Sequence, residues 1–107
     1  MKATTTTTNK QVTEIQAIIN QALADDIMAI EVDSTWETGY QFKSIVLLKT
    51  KIKISYTEYN GRWEDRVDSY KLSDKEDVKY VFSWIKRCIK KGYKEETKQM
   101  KLDLLSN

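Results

Sequence analysis

The apolar residues of this chain change their spacing twice, and those two changes constrain the fold more than any other feature of the sequence. Val12, Ile15, Ile18, Ile19, Ala22 and Leu23 recur at intervals of three and four residues, which places them on one side of an α-helix. Thr8 and Gln11 read as a capping box at its start, and the paired carboxylates Asp25 and Asp26, repelled by the negative end of a helix dipole, predict its end near Ala24. From Ile27 to Tyr70 the helical spacing is gone and Val, Ile, Thr, Tyr and Trp dominate, as they do in strands. Helical spacing returns at Val78, Val81, Phe82, Ile85, Cys88 and Ile89, preceded by a second capping box at Ser73 and Glu76 and followed by Gly92, which predicts a left-handed C-cap. An apolar helix face has to bury itself against another element, so the expected architecture is α+β: an antiparallel sheet of three or four strands with an N-terminal and a C-terminal helix on one face.

Within the β region, Met28, Ile30 and Val32 alternate with Ala29, Glu31 and Asp33, which predicts that the first set faces the core. Asn60-Gly61 predicts a hairpin with a two-residue turn. That turn sets Tyr59 opposite Arg62, Thr57 opposite Glu64, Ser55 opposite Arg66 and Lys53 opposite Asp68 on a polar side, with Ile52, Ile54, Tyr56, Trp63 and Val67 on the core side. Lys49-Thr50-Lys51 lacks Gly and Asn and reads as a bulge in one long bent strand rather than as a turn, the alternative that gives four strands. Residues 93–107 alternate at Met100, Leu102 and Leu104 but are rich in Lys, Glu and Gln, and the expectation is a short helix. Residues 1–8, ending in five threonines, read as a mobile tail before a single domain over 9–107.

The chain has no histidine and one cysteine, Cys88. Ser-His-Asp and Cys-His nucleophiles, His-ligated zinc and an intrachain disulfide are therefore all excluded within the chain. The three glycines are isolated, so no dinucleotide or phosphate loop exists, and no nucleotide cofactor is expected. Carboxylate pairs such as Glu31/Asp33 and Glu64/Asp65 read as solvated charges rather than as metal ligands or catalytic acids. No catalytic residue and no metal site is assigned. No apolar run reaches the length of a membrane span and the N-terminus has no apolar leader core, which with the lone cysteine predicts a cytoplasmic protein, not a membrane-bound one.

What remains is binding. Residues 1–42 carry two lysines against six acids, whereas residues 43–107 carry sixteen Lys or Arg against ten, and no acid falls between Lys79 and Lys94. Along the second helix Tyr80, Trp84, Arg87 and Lys91 follow four-three-four spacing on one stripe, beside Lys90 and Lys94, and Tyr, Trp and Arg are the residues enriched in interface hot spots. These six form the first candidate partner surface. The polar side of the hairpin, with Lys51, Lys53, Tyr59, Arg62 and Arg66, forms the second.

A small Lys-, Thr- and Glu-rich single domain without proline or a catalytic constellation resembles, in profile, the inhibitor proteins of phages and mobile elements, the anti-CRISPR proteins among them. That resemblance implies a non-enzymatic protein that occupies a surface of a protein or ribonucleoprotein partner. The alternative expectation is single-stranded nucleic-acid binding, in which an antiparallel sheet and a basic helix present aromatics and cations to the strand.

Overall fold

The structure, a computed structural model, describes residues 2–33 and 35–106. The chain is an α+β protein of order α-β-β-β-β-α: α1 Lys2–Ala24, β1 Ala29–Asp33, β2 Trp36–Leu47, β3 Lys51–Tyr59, β4 Trp63–Lys71 and α2 Lys75–Ser106. The strands form one antiparallel meander in sequence order. Both helices pack on one face, closing a core of Val12, Ile15, Ile19 and Ala22 from α1, Phe42, Ile45, Ile52 and Ile54 from the sheet, and Val81, Phe82, Ile85 and Ile89 from α2.

α1 begins at Lys2 rather than at residue 9, so the threonines that follow it continue the helix, and the Thr8/Gln11 pair lies inside it instead of capping it. Extending an existing helix adds a hydrogen bond per residue without a new nucleation cost, which offsets the weak propensity of threonine. Met1 lies outside the described residues. The other end falls at Ala24 as expected: Asp26 takes a positive φ of 55°, Ile27 N donates to Ala22 O and Asp26 N donates to Leu23 O, the pairing of a Schellman motif with Asp in the glycine position.

Four strands form because Leu48 N donates to Lys51 O across a turn at 48–51, so the long bent strand expected there is two strands. Its register pairs Ile45 with Ile54 and Leu47 with Ile52, and joining those apolar pairs outweighs the absence of a favoured turn residue. A bulge at Lys43 shifts β2 against β3, and β1 reaches along β2 only as far as Tyr40. Beyond that point Gln16 of α1 does the work of a neighbouring strand: its amide oxygen accepts from Ile45 N at 2.8 Å and its amide nitrogen donates to Lys43 O at 3.3 Å.

β1 is turned over relative to the expectation. Ala29 lies in the core opposite Tyr40, while Met28 and Val32 are exposed and Ile30 is buried outside the main cluster. The ring of Tyr40 fills the space here, so its neighbour has to be small, and Glu31 on the same side accepts from Tyr40 Oη at 3.1 Å.

α2 is one helix of 32 residues, about 48 Å long, and it extends the molecule to 57 × 25 × 23 Å. Its cap is Asp74 rather than Ser73, since Asp74 Oδ1 accepts from Asp77 N at 3.2 Å. Gly92 does not end the helix. It sits where α2 crosses the start of β1, and a side chain there would run into the Met28 carbonyl and come within 3.0 Å of Ile27 Cγ2. Glycine serves close approach at this point, not a left-handed turn. Residues 93–106 continue α2, and from Glu96 to Leu105 every residue is exposed.

Candidate functional site

The outer side of α2 and the open face of the sheet are the two surfaces to which the sequence pointed, and the structure changes both. Trp84 is the principal correction. It is 7% exposed and closes an aromatic cluster with Tyr40, Phe42 and Tyr56, at centroid distances of 5.1, 5.1 and 5.7 Å and with steep interplanar angles of 77–87°. Edge-to-face packing of this kind adds to the area buried. A helix lying across a broad sheet buries close to half its circumference, more than the six-residue apolar stripe suggested, and the indole is long enough to reach the sheet from the margin of that arc. Trp84 is thus a core residue.

The other residues of that first surface are outside. Tyr80 is exposed, Arg87 donates to Glu31 at 3.4 Å and Lys91 pairs with Glu95 at 3.3 Å. Lys90 and Lys94 make no ion pair among the described residues, and neither do Lys79, Lys86, Lys98 and Lys101. These six follow one another at steps of seven, four, four, four and three residues. At 3.6 residues per turn they fall within an arc of roughly 120° and span about 33 Å of α2. Lys98 and Lys101 belong to this ribbon only because α2 runs on through Gly92, which is why they escaped a reading that stopped the helix there.

The sheet face is altered by register. Only Gly61 takes a positive φ in the hairpin, at 86°, and Tyr59 pairs with Trp63 across a loop of three residues, not with Arg62 across two. One extra residue in the loop reverses every side chain of β4. Arg66 moves to the helix side, where it binds Glu58 at 3.1 Å and Glu64 at 2.9 Å; Arg62, in the loop, binds Glu64 at 2.8 Å. Trp63 and Val67, expected inside, come out onto the open face, where Trp63 lies 5.1 Å from Tyr59 between centroids. Asn-Gly followed by Arg fits a three-residue loop with a single left-handed glycine as well as a two-residue turn, so the residue that was missed, Trp63, had an ambiguous signal.

Lys51 and Lys53 face the open side as expected, and Lys71 joins them directly opposite Lys51. Lys43 reaches Asp65 at 3.5 Å on the same face. None of Lys51, Lys53 and Lys71 makes an ion pair among the described residues.

Among the described residues the space enclosed in the core is small. The cavity between α1, β1 and β2, lined by Ile19, Ala22, Ile27 and Phe42 among others, measures about 10 Å³, room for a water at most. No group of three or more Asp, Glu or Cys converges as a metal site among the described residues, and Glu31 is taken up by Tyr40 and Arg87. Cys88 is buried, and burial pushes its thiol up to about 12, which leaves it protonated and unreactive near neutral pH. No helix among the described residues is long and apolar enough to cross a membrane. Set against family models, curated proteins and solved structures, the chain matches none.

Proposed function

We propose that this chain is a non-catalytic binding protein that grips the phosphate backbone of a nucleic acid along the outer side of α2. The observation that carries this reading is the ribbon of six lysines from Lys79 to Lys101 that make no ion pair among the described residues, on one side of a helix whose other side is anchored to the sheet over its first half. Like charges at three- and four-residue spacing on a helix repel one another, so the ribbon lowers the stability of α2 until an anion neutralises it. A polyanion with regularly spaced charges is the partner that neutralises all six together, with release of its counterions.

The inhibitor reading leaned on Trp84 as an interface anchor. With the indole inside the fold, the outer side of α2 from Lys79 to Lys98 offers cations and Tyr80, which suits phosphates better than it suits an apolar protein pocket, and exposed apolar side chains follow in its last turns at Met100, Leu102, Leu104 and Leu105. A nucleoprotein partner engaged through its nucleic acid is the form in which both readings meet.

Fluorescence anisotropy against a labelled duplex and labelled oligo(dT), at several salt concentrations, tests the proposal. With six lysines engaged, log K falls against log salt with a slope of about −5 for the duplex and about −4 for the single strand. Lys86→Glu with Lys90→Glu and Lys94→Glu abolishes binding at a salt concentration where the parent chain is half bound. Absence of binding at low salt, a slope near zero, or binding to phosphatidylserine vesicles alone rejects it.

A further inference from the structure

The open face of the sheet carries a pattern that α2 does not explain. Across its width at one end, Ile30, Gly39, Tyr59 and Trp63 stand in one row of register partners. The absence of a side chain at Gly39 admits the sulfur of Met28, which lies 2.5 Å from where a Cβ would be. The Met28 thioether thus covers the sheet beside Tyr59, and the two rings next to it are open to solvent, with Tyr59 41% and Trp63 52% exposed. At the other end Lys51 and Lys71 are direct cross-strand partners, with Lys53 two residues along β3. Like charges placed opposite one another destabilise a sheet, and nothing among the described residues neutralises these three. From Lys51 to Tyr59 the strand covers about 27 Å.

We infer that this face binds single-stranded nucleic acid, with unpaired bases stacked on Tyr59 and Trp63 and phosphates held by Lys53, Lys51 and Lys71. A duplex keeps its base faces covered, so exposed rings serve a strand whose bases are free, and the length of the track falls within the range of a few nucleotides seen for single-strand sites. The complementarity argues against a second copy as occupant, because the same basic face would meet itself. The inference rests on the nucleic-acid reading of α2 for the class of partner, yet it uses none of the same residues.

The test compares the parent chain, a sheet variant Tyr59→Ala/Trp63→Ala and the α2 variant Lys86→Glu/Lys90→Glu/Lys94→Glu, each against oligo(dT), an abasic oligomer of equal length and a duplex. Both rings are on the surface, and an unchanged far-ultraviolet circular dichroism spectrum with a cooperative thermal transition confirms that the sheet variant folds; Trp63→Phe serves as the conservative control. The sheet variant loses about tenfold or more in affinity for oligo(dT), keeps its affinity for the abasic oligomer and the duplex, and Trp63→Phe restores most of the loss. Equal affinity of parent and sheet variant for oligo(dT), or an equal loss on the abasic oligomer, overturns the inference. So does a parent chain that sediments as a dimer which the sheet variant dissolves, since that assigns the face to a second copy. If the α2 variant alone loses binding, the reading of α2 stands and this one fails; if the sheet variant alone loses it, the reverse holds.

Discussion

Replacing Gly92 with alanine sets two effects of opposite sign against each other at one atom. Inside a helix, glycine is about 1 kcal/mol less favourable than alanine, so Gly92→Ala in a free stretch of α2 would stabilise the protein by about that much. Here the new methyl meets the carbonyl of Met28 well inside van der Waals contact, with Ile27 Cγ2 at 3.0 Å and Met28 C at 3.1 Å. Overpacking of this kind costs about 1–3 kcal/mol, and a main-chain carbonyl held at the start of β1 cannot swing aside as a side-chain tip can, which points to the top of that range. The net expectation is a loss of about 2 kcal/mol, which for a domain of this size lowers Tm by roughly 10 °C. Thr97→Ala, on the exposed continuation of the same helix, supplies the control and gains about 0.5 kcal/mol. Thermal unfolding followed by circular dichroism reads both. A Gly92→Ala protein with raised or unchanged Tm and more helix than the parent would refute the reasoning, because it would mean that α2 does not pass over β1 at this distance.

Two further outcomes follow from the core. Trp84→Ala empties the centre of the aromatic cluster and is expected to cost about 3–5 kcal/mol in urea unfolding, whereas an interface anchor would leave stability unchanged, so a wild-type midpoint contradicts the buried placement. Alkali should also unfold the protein early: burial raises the ionisation of Cys88, Tyr40, Tyr56 and Tyr70 above their ordinary values near 9 and 10, so the unfolded chain releases these protons first. The stability tied to them is complete below about pH 8.5 and declines as pH rises, so urea midpoints should fall between about pH 9 and pH 11 and fall less in Tyr56→Phe; a midpoint constant over that range would contradict it.

The contrast between the two surfaces shows which properties were local. Lys79, Lys86, Lys90 and Lys94 are legible as a basic run because a stretch without acids on a helical repeat is a property of the segment itself, whereas Lys98 and Lys101 join them only through the continuation of α2 past Gly92. The side of Trp84 is not legible in the sequence, because the width of the arc that a helix buries depends on the sheet beneath it. The face of Trp63 depends on one residue of loop length, and Asn60-Gly61-Arg62 permits either. Arg66 followed Trp63, in the opposite direction, for the same reason.

The sequence by itself determined the two apolar helix stripes, the β character of the middle of the chain, the end of α1 at Ala24 and the exclusion of histidine chemistry, because each is set by residue type and short-range spacing. Tertiary structure alone decided the side of β1 and β4 that faces the helices, the turn at 48–51, the passage of α2 through Gly92 and the burial of Trp84. Those depend on what lies across the gap: Tyr40 opposite Ala29, Ile54 opposite Ile45, the Met28 carbonyl under Gly92 and three rings around one indole. A periodic pattern places side chains relative to their own backbone, and only a neighbouring element gives one side of that backbone the lower free energy.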